Sequence, residues 1–152
     1  MPSLKKYWFT YAISLLLVAS AVLAWGIWQK TSLDKTSQTA VAEIIETAFR
    51  TDRYSQLVER ALDAQINERP ASELVRYVSA LNRTLGSLEE ISGVFGEAQV
   101  PLVNLSSTPT IANYEADLKF SAGPGILRIT LHHIEGTWLM SRFLVESQLL
   151  LN

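Results

Sequence analysis

The sequence predicts an α+β fold carried on one membrane-spanning helix, and three observations predict it. Residues 8–28 read WFTYAISLLLVASAVLAWGIW, a run without a charge or a proline. Between residues 40 and 85, apolar side chains recur at the three-and-four spacing of a helix face. After Gly86 the period drops to two, the spacing of a half-buried strand.

At 1.5 Å of rise per residue the apolar run covers about 31 Å, which matches the ~30 Å hydrocarbon thickness of a bilayer. Tyr7, Trp8, Phe9 and Tyr11 crowd one end, and Trp25 and Trp28 the other, the two levels at which amphipathic rings settle. The expected division is a cytoplasmic tail at 1–6, a transmembrane helix at 7–28, a linker at 29–38 and an extracytoplasmic α+β domain at 39–152. Lys5, Lys6 and the terminal amine precede the span, whereas Lys30 and Lys35 follow it; this places the tail inside and the domain outside. In a bacterium that means a single pass through the inner membrane, with the domain in the periplasm. Ala19-Ser20-Ala21 resembles a signal-peptide cleavage site, but the apolar region outruns the 7 to 15 residues usual for such signals, which favours a retained anchor.

The polar stretch 29–39 (QKTSLDKTSQT) is a spacer or a helical continuation. In residues 40–50, Val41, Ile44, Ile45, Ala48 and Phe49 mark one helix face, with Glu43 and Glu46 turned away. Thr51 or Asp52 is the expected cap of a second helix, in which Tyr54, Leu57, Val58, Ala61, Leu62 and Ile66 repeat the spacing up to Pro70. Ser72 is the expected N-cap of a third helix, whose stripe of Leu74, Val75, Tyr77, Val78, Leu81 and Leu85 stops at a Gly86 C-cap.

Residues 88–103 supply a first strand, kinked at Gly93 or Gly96. Ala112, Tyr114, Ala116, Leu118 and Phe120 then alternate with Asn113, Glu115, Asp117, Lys119 and Ser121. A turn at Ala122-Gly123-Pro124-Gly125 leads into a strand over 126–135 with Leu127, Ile129 and Leu131 on one face. Glu135-Gly136 reverses the chain into a last strand over 137–150. Three helices therefore pack on one face of a curved antiparallel sheet of about four strands.

The run Tyr114-x-Ala116-x-Leu118-x-Phe120, the glycine turn at 122–125, Leu127-x-Ile129-x-Leu131 and Gly136-x-Trp138-x-Met140-x-x-Phe143-x-Val145-x-Ser147 resembles the nuclear-transport-factor-two-like (cystatin-like cone) superfamily over residues 39–150. The resemblance implies a sheet wrapped round helices to form a cone with an apolar pocket. It spans enzymes, ligand binders and non-catalytic assembly domains alike. A cone on a membrane anchor with its tail inside also resembles the inner-membrane assembly proteins of type IV secretion machines, which carry longer domains.

Composition narrows the chemistry. The chain has 152 residues, 48% of them hydrophobic and 18% charged; about 120 residues outside the anchor suffice for one domain and not two. A formal net charge of -2 offers no basic face for nucleic acid, and the absence of cysteine excludes disulfides, thiolate metal sites and a cysteine nucleophile. No H-E-x-x-H, P-loop or G-x-S-x-G motif is present. His132 and His133 occupy adjacent strand positions, so their side chains take opposite faces and do not share one metal. Tyr114, His133 and Trp138 fall on the core-facing stripe and are the candidate pocket-wall residues; no catalytic residue, cofactor site or metal site is assigned. Small residues in the span, Ala12 and Ser20 among them, permit another helix to pack closely.

The expectation is a non-catalytic accessory or assembly protein, with membrane lipid around its span and a protein partner or further copies of itself in an envelope complex. The alternative expectation is a periplasmic small-ligand binder or enzyme that uses the cone pocket. Converging polar groups in an open cavity favour the alternative, and a filled interior favours the assembly role.

Overall fold

A computed structural model describes residues 4–51, 53–100 and 109–151, with side chains described at position 11 and from 13 onward. The expectations for Lys5, Lys6, Tyr7, Trp8, Phe9 and Ala12, the cap role of Asp52 and the strand positions 101–103 fall outside the described residues and side chains.

Helix α1 (Leu4–Phe49) is uninterrupted, and the chain divides after Leu33 into two compact units. No proline falls within α1 and its single glycine is Gly26, so nothing in the covalent chain breaks the hydrogen-bond ladder. The stretch 29–38 is accordingly helical. In the first unit the helix is long and apolar enough to cross a membrane. Its side chains face outward, with Leu15 at 75%, Leu23 at 68% and Trp28 at 65% exposure. The Ser20 hydroxyl bonds back to the Leu17 carbonyl, which satisfies a polar group inside the apolar run.

The second unit, Asp34–Asn152, contains the end of α1, then α2 (Tyr54–Glu59), β1 (Gln65–Ile66), β2 (Arg69–Pro70), α3 (Ser72–Leu85), β3 (Leu88–Gln99), β4 (Thr110–Phe120), β5 (Gly123–Ile134) and β6 (Thr137–Glu146), closed by a 3-10 turn at Gln148–Leu150. The last four strands form an antiparallel meander in the order β3-β4-β5-β6. The fold is α+β as the sequence pattern requires. Val41, Ile44, Ile45 and Ala48 of α1 are fully buried, as are Ala112, Ala116, Leu127, Leu131, Met140 and Phe143 of the sheet. Phe49 meets Phe120 edge-on with ring centroids 5.1 Å apart and reaches Phe143 at 6.1 Å. Helices thus cover one sheet face, and the other carries Glu115, Arg128 and Glu146 linked through the Arg128 guanidinium.

Four local expectations are corrected. The second helix stops at Glu59 and not at Pro70, because the backbone of 60–67 is taken up by the edge of β6. Met140 N–H donates to the Arg60 carbonyl, Leu62 N–H donates to the Met140 carbonyl, and Asn67 N–H donates to the Ser141 carbonyl. Asp63 and Ala64, then Asn67 and Glu68, adopt left-handed φ between 51° and 62° in two successive tight turns, which no helix accommodates. Caps differ as well: Arg53 and Ala71 occupy the N-cap positions of α2 and α3 without side-chain capping bonds, and Ser72 is the first helical residue. Gly86 does end α3, with φ 78°. The β4–β5 reversal is a two-residue turn at Ser121-Ala122; Gly123, Pro124 and Gly125 already belong to β5. The missing N–H of Pro124 costs nothing there, since β6 pairing begins only at Ile126. Finally, β6 ends at Glu146. In β3 the register shifts between Ile91 and Gly93, a bulge at the expected kink.

The β6 edge is sealed from Met140 to Val145. Beyond the bonds above, the Asn67 amide accepts from Phe143 N–H at 3.1 Å and donates to the Phe143 carbonyl at 2.6 Å. The Tyr77 hydroxyl accepts from Val145 N–H at 3.0 Å and lies 3.4 Å from its carbonyl. Two side chains therefore stand in for a fifth strand.

Candidate functional site

Tyr114 on β4, His133 on β5 and Trp138 on β6 share the helix-covered face of the sheet, and residues 34–37 of α1 meet two of them. The Tyr114 and Ser37 hydroxyls are 2.7 Å apart, both groups being buried. Ser37 in turn donates to the Asp34 carbonyl at 3.0 Å. Trp138 Nε1–H donates to Thr36 Oγ1 at 3.1 Å. Asp34 Oδ1 accepts the Ala98 backbone N–H of β3 at 2.8 Å. One helical turn of α1 thus supplies polar partners to three strands, which satisfies groups that would otherwise be buried without a hydrogen bond.

The three wall candidates do not converge. His133 packs its ring against Trp138 with centroids 4.8 Å apart. Tyr114 pairs with Ile129, whereas His133 pairs with Thr110, four positions along β4; at the rise of a strand that is a separation of about 13 Å. Burial raises the Tyr114 pKa above its ordinary 10.0, opposed by the Ser37 bond and reinforced by Asp34 and Glu97. Its phenol is therefore a neutral hydrogen-bonding group at physiological pH. A general base needs its target within about 3 Å and an orienting partner; His133 has the Trp138 ring as its neighbour instead. Among the described residues no group of three or more His, Asp or Glu side chains is placed to hold a metal ion.

Elsewhere among the described residues lie two clefts. The larger, of about 700 Å³, lies between the β1–β2 ribbon, the start of α3 and β6, with Ile66, Leu74 and Leu144 as its apolar wall and Arg69, Glu73 and Arg142 among its charged lining. Tyr77 lines it too, and its hydroxyl is committed to Val145. Burial raises the Tyr77 pKa, with the Val145 bond opposing and Glu146 adding to the rise. The smaller cleft, of about 250 Å³, lies beside Phe95, Glu115, Arg128 and Thr130. Neither His133 nor Trp138 lines either cleft, and Tyr114 borders only the smaller one.

Residues 34–37 are what reading the sequence missed. Positions 34, 37, 41, 44, 45 and 48 continue one helical spacing without a break, and that was the available signal; the polar identity of Asp34 and Ser37 left the stretch open between a spacer and a helical continuation, with no contact to the sheet expected of it. Compared with protein-family models, with curated proteins and with solved structures, the chain matches none of them.

Proposed function

We propose that this chain is a single-pass protein of the bacterial inner membrane, with its tail in the cytoplasm and its domain in the periplasm, and that the domain is a non-catalytic accessory or assembly module that recognises another protein of an envelope complex. In this proposal the domain is a plugged cone of the nuclear-transport-factor-two-like kind. The observation that carries the reading is the use made of the interior. Tyr114 and Trp138, the polar groups best placed to line a pocket, are occupied by Ser37 and Thr36, so recognition falls to the outer surface. The outward-facing apolar run of α1 supports the membrane assignment, and Lys5 and Lys6 support its direction.

A second reading rests on the cleft beside Tyr77, whose volume of about 700 Å³ lies in the range of small-molecule sites. In that case the ligand contacts Arg69, Arg142 and Tyr77, not Tyr114, His133 or Trp138.

Reporter fusions after Asn152 test the direction: a periplasm-active reporter is expected to work, and a working cytoplasm-active one overturns the localisation. Purification of the tagged full chain in mild detergent tests the role. A stoichiometric protein partner is expected; a chain that purifies alone and retains a small molecule lost on Arg142→Ala supports the cleft reading instead.

A further inference from the structure

One stretch of the domain covers a sheet edge while being weakly anchored itself. Between Ala61 and Ala71, both buried, the chain runs beside β6 with a single buried side chain, Ile66. Its own regular structure is the β1–β2 ribbon, Gln65–Ile66 against Arg69–Pro70, and so short a two-stranded unit is not stable by itself. The cleft of about 700 Å³ lies between this ribbon, Leu74 and Tyr77 of α3 and Leu144 of β6, so packing beneath the ribbon is sparse.

The backbone of the stretch is also strained. Asp63, Ala64, Asn67 and Glu68 all adopt left-handed φ. Aspartate and asparagine tolerate that conformation; Ala64 at 56° and Glu68 at 62° have no such ease, and residues of this kind persist only where surrounding contacts impose them. The contacts that do so lie along the edge. Leu62 N–H donates to the Met140 carbonyl, Asn67 N–H donates to the Ser141 carbonyl, and the Asn67 amide holds both backbone groups of Phe143. Neighbouring points of the same edge are held from elsewhere: Arg60, whose carbonyl accepts Met140 N–H, is ion-paired to Glu43 of α1, and the Tyr77 hydroxyl of α3 accepts Val145 N–H.

We propose that residues 62–70 are a strap that swings off the β6 edge as a unit, pivoting at Ala61 and Ala71, while the helices and the four-stranded sheet stay folded. Opening frees the Met140 and Ser141 carbonyls and both backbone groups of Phe143, and it removes one wall of the larger cleft. The strap therefore gates the edge and the cleft together. This device goes beyond the functional reading above and does not depend on it.

Hydrogen exchange on the full chain in detergent micelles tests the proposal, because three amides report on the strap and two do not. Leu62, Asn67 and Phe143 lose their acceptors when it opens; Val145 keeps Tyr77, and Ile129 lies in β5 between β4 and β6. The first three are expected to be protected at least about tenfold less than the other two, and to respond weakly to urea where the other two follow the steep dependence of global unfolding. Ile66→Ala removes the buried anchor and should lower the protection of the three by about a further tenfold, leaving Val145 and Ile129 unchanged. Ala64→Gly relieves a strained φ and should raise it about fivefold. Five amides that exchange in step, with one urea dependence, overturn the proposal, as does Ile66→Ala lowering all five alike.

A second measurement serves should Ile66→Ala fail to fold. The chain has no cysteine, so one introduced thiol reports alone. Ile66→Cys is expected to be labelled at least about tenfold faster than Leu81→Cys in α3, although both positions are buried. Equal labelling rates overturn the proposal, and the comparison of wild-type amides decides it should either thiol variant fail to fold.

Discussion

Asn67→Ala is the sharpest probe of how the domain closes its β6 edge. The amide holds both backbone groups of Phe143, at 3.1 and 2.6 Å, and Asn67 itself sits at φ 53°. Two hydrogen bonds at about 0.5 to 1.5 kcal/mol each give a loss of about 1 to 3 kcal/mol. Alanine also bears a left-handed penalty of about 1 to 2 kcal/mol that asparagine largely avoids. The expected destabilisation is therefore about 2 to 5 kcal/mol, a large share of the stability of a small domain. Asn67→Gly separates the two contributions, since glycine accepts the backbone angle but restores neither bond; it should recover about 1 kcal/mol relative to alanine. Pulse proteolysis of the full chain across a urea series, with the chain held in detergent micelles, reads both values. Equal destabilisation by alanine and glycine, or a loss under about 0.5 kcal/mol for alanine, would refute the reasoning, because neither the amide nor the turn would then be holding the edge.

Trp138→Ala should destabilise the domain by about 3 to 5 kcal/mol through lost burial and a residual cavity, and Trp138→Phe, which removes the donor to Thr36 but keeps much of the ring volume, by clearly less; urea midpoints compare them. Tyr114→Phe should cost about 1 kcal/mol on the same assay, since Ser37 keeps its bond to the Asp34 carbonyl. Stability should also fall in alkali. Tyr77 and Tyr114 both have pKa values raised above 10.0, so their contribution is complete below pH 10 and is lost as pH climbs from there through the folded values. A thermal-midpoint series from pH 8 to about 11 checks the sign, and the Tyr77→Phe/Tyr114→Phe pair should flatten the decline.

The alternation from Ala112 to Phe120 and from Leu127 to Leu131 was legible because each of these strands has one face against helices and one in water, and the period of two records that difference. Helix α3 was legible for the same reason, with Leu74, Val78, Leu81 and Leu85 all buried. The stretch 60–70 was not. Its apolar residues Ala61, Leu62 and Ile66 keep a helical spacing, but the backbone bonds that decide its conformation come from Met140 and Ser141, far off in the chain. Local pattern holds no record of a partner so distant. The candidate site shows a related limit. Alternation put Tyr114, His133 and Trp138 on one face, yet whether such a face lines a cavity depends on what the opposing helix offers, and the residues that answer it, Asp34, Thr36 and Ser37, look like a spacer when read singly.

Those three residues also fix how the end of α1 lies on the sheet. Val41, Ile44 and Ala48 are apolar and would pack almost as well after a slide of one turn, about 5.4 Å. Ser37, Thr36 and Asp34 do not tolerate it. A slide that carried Val41 to the place of Ser37 would set a methyl group against the Tyr114 hydroxyl, and the same movement would withdraw Thr36 from Trp138 Nε1 and Asp34 from the Ala98 N–H. Each orphaned group costs about 1 to 3 kcal/mol where water does not reach it, so the three together outweigh any modest gain in apolar contact. The polar turn thus specifies one rotation and one height for the helix, which an apolar stripe alone would leave under-determined. It also ties β3 to the end of α1 at Ala98.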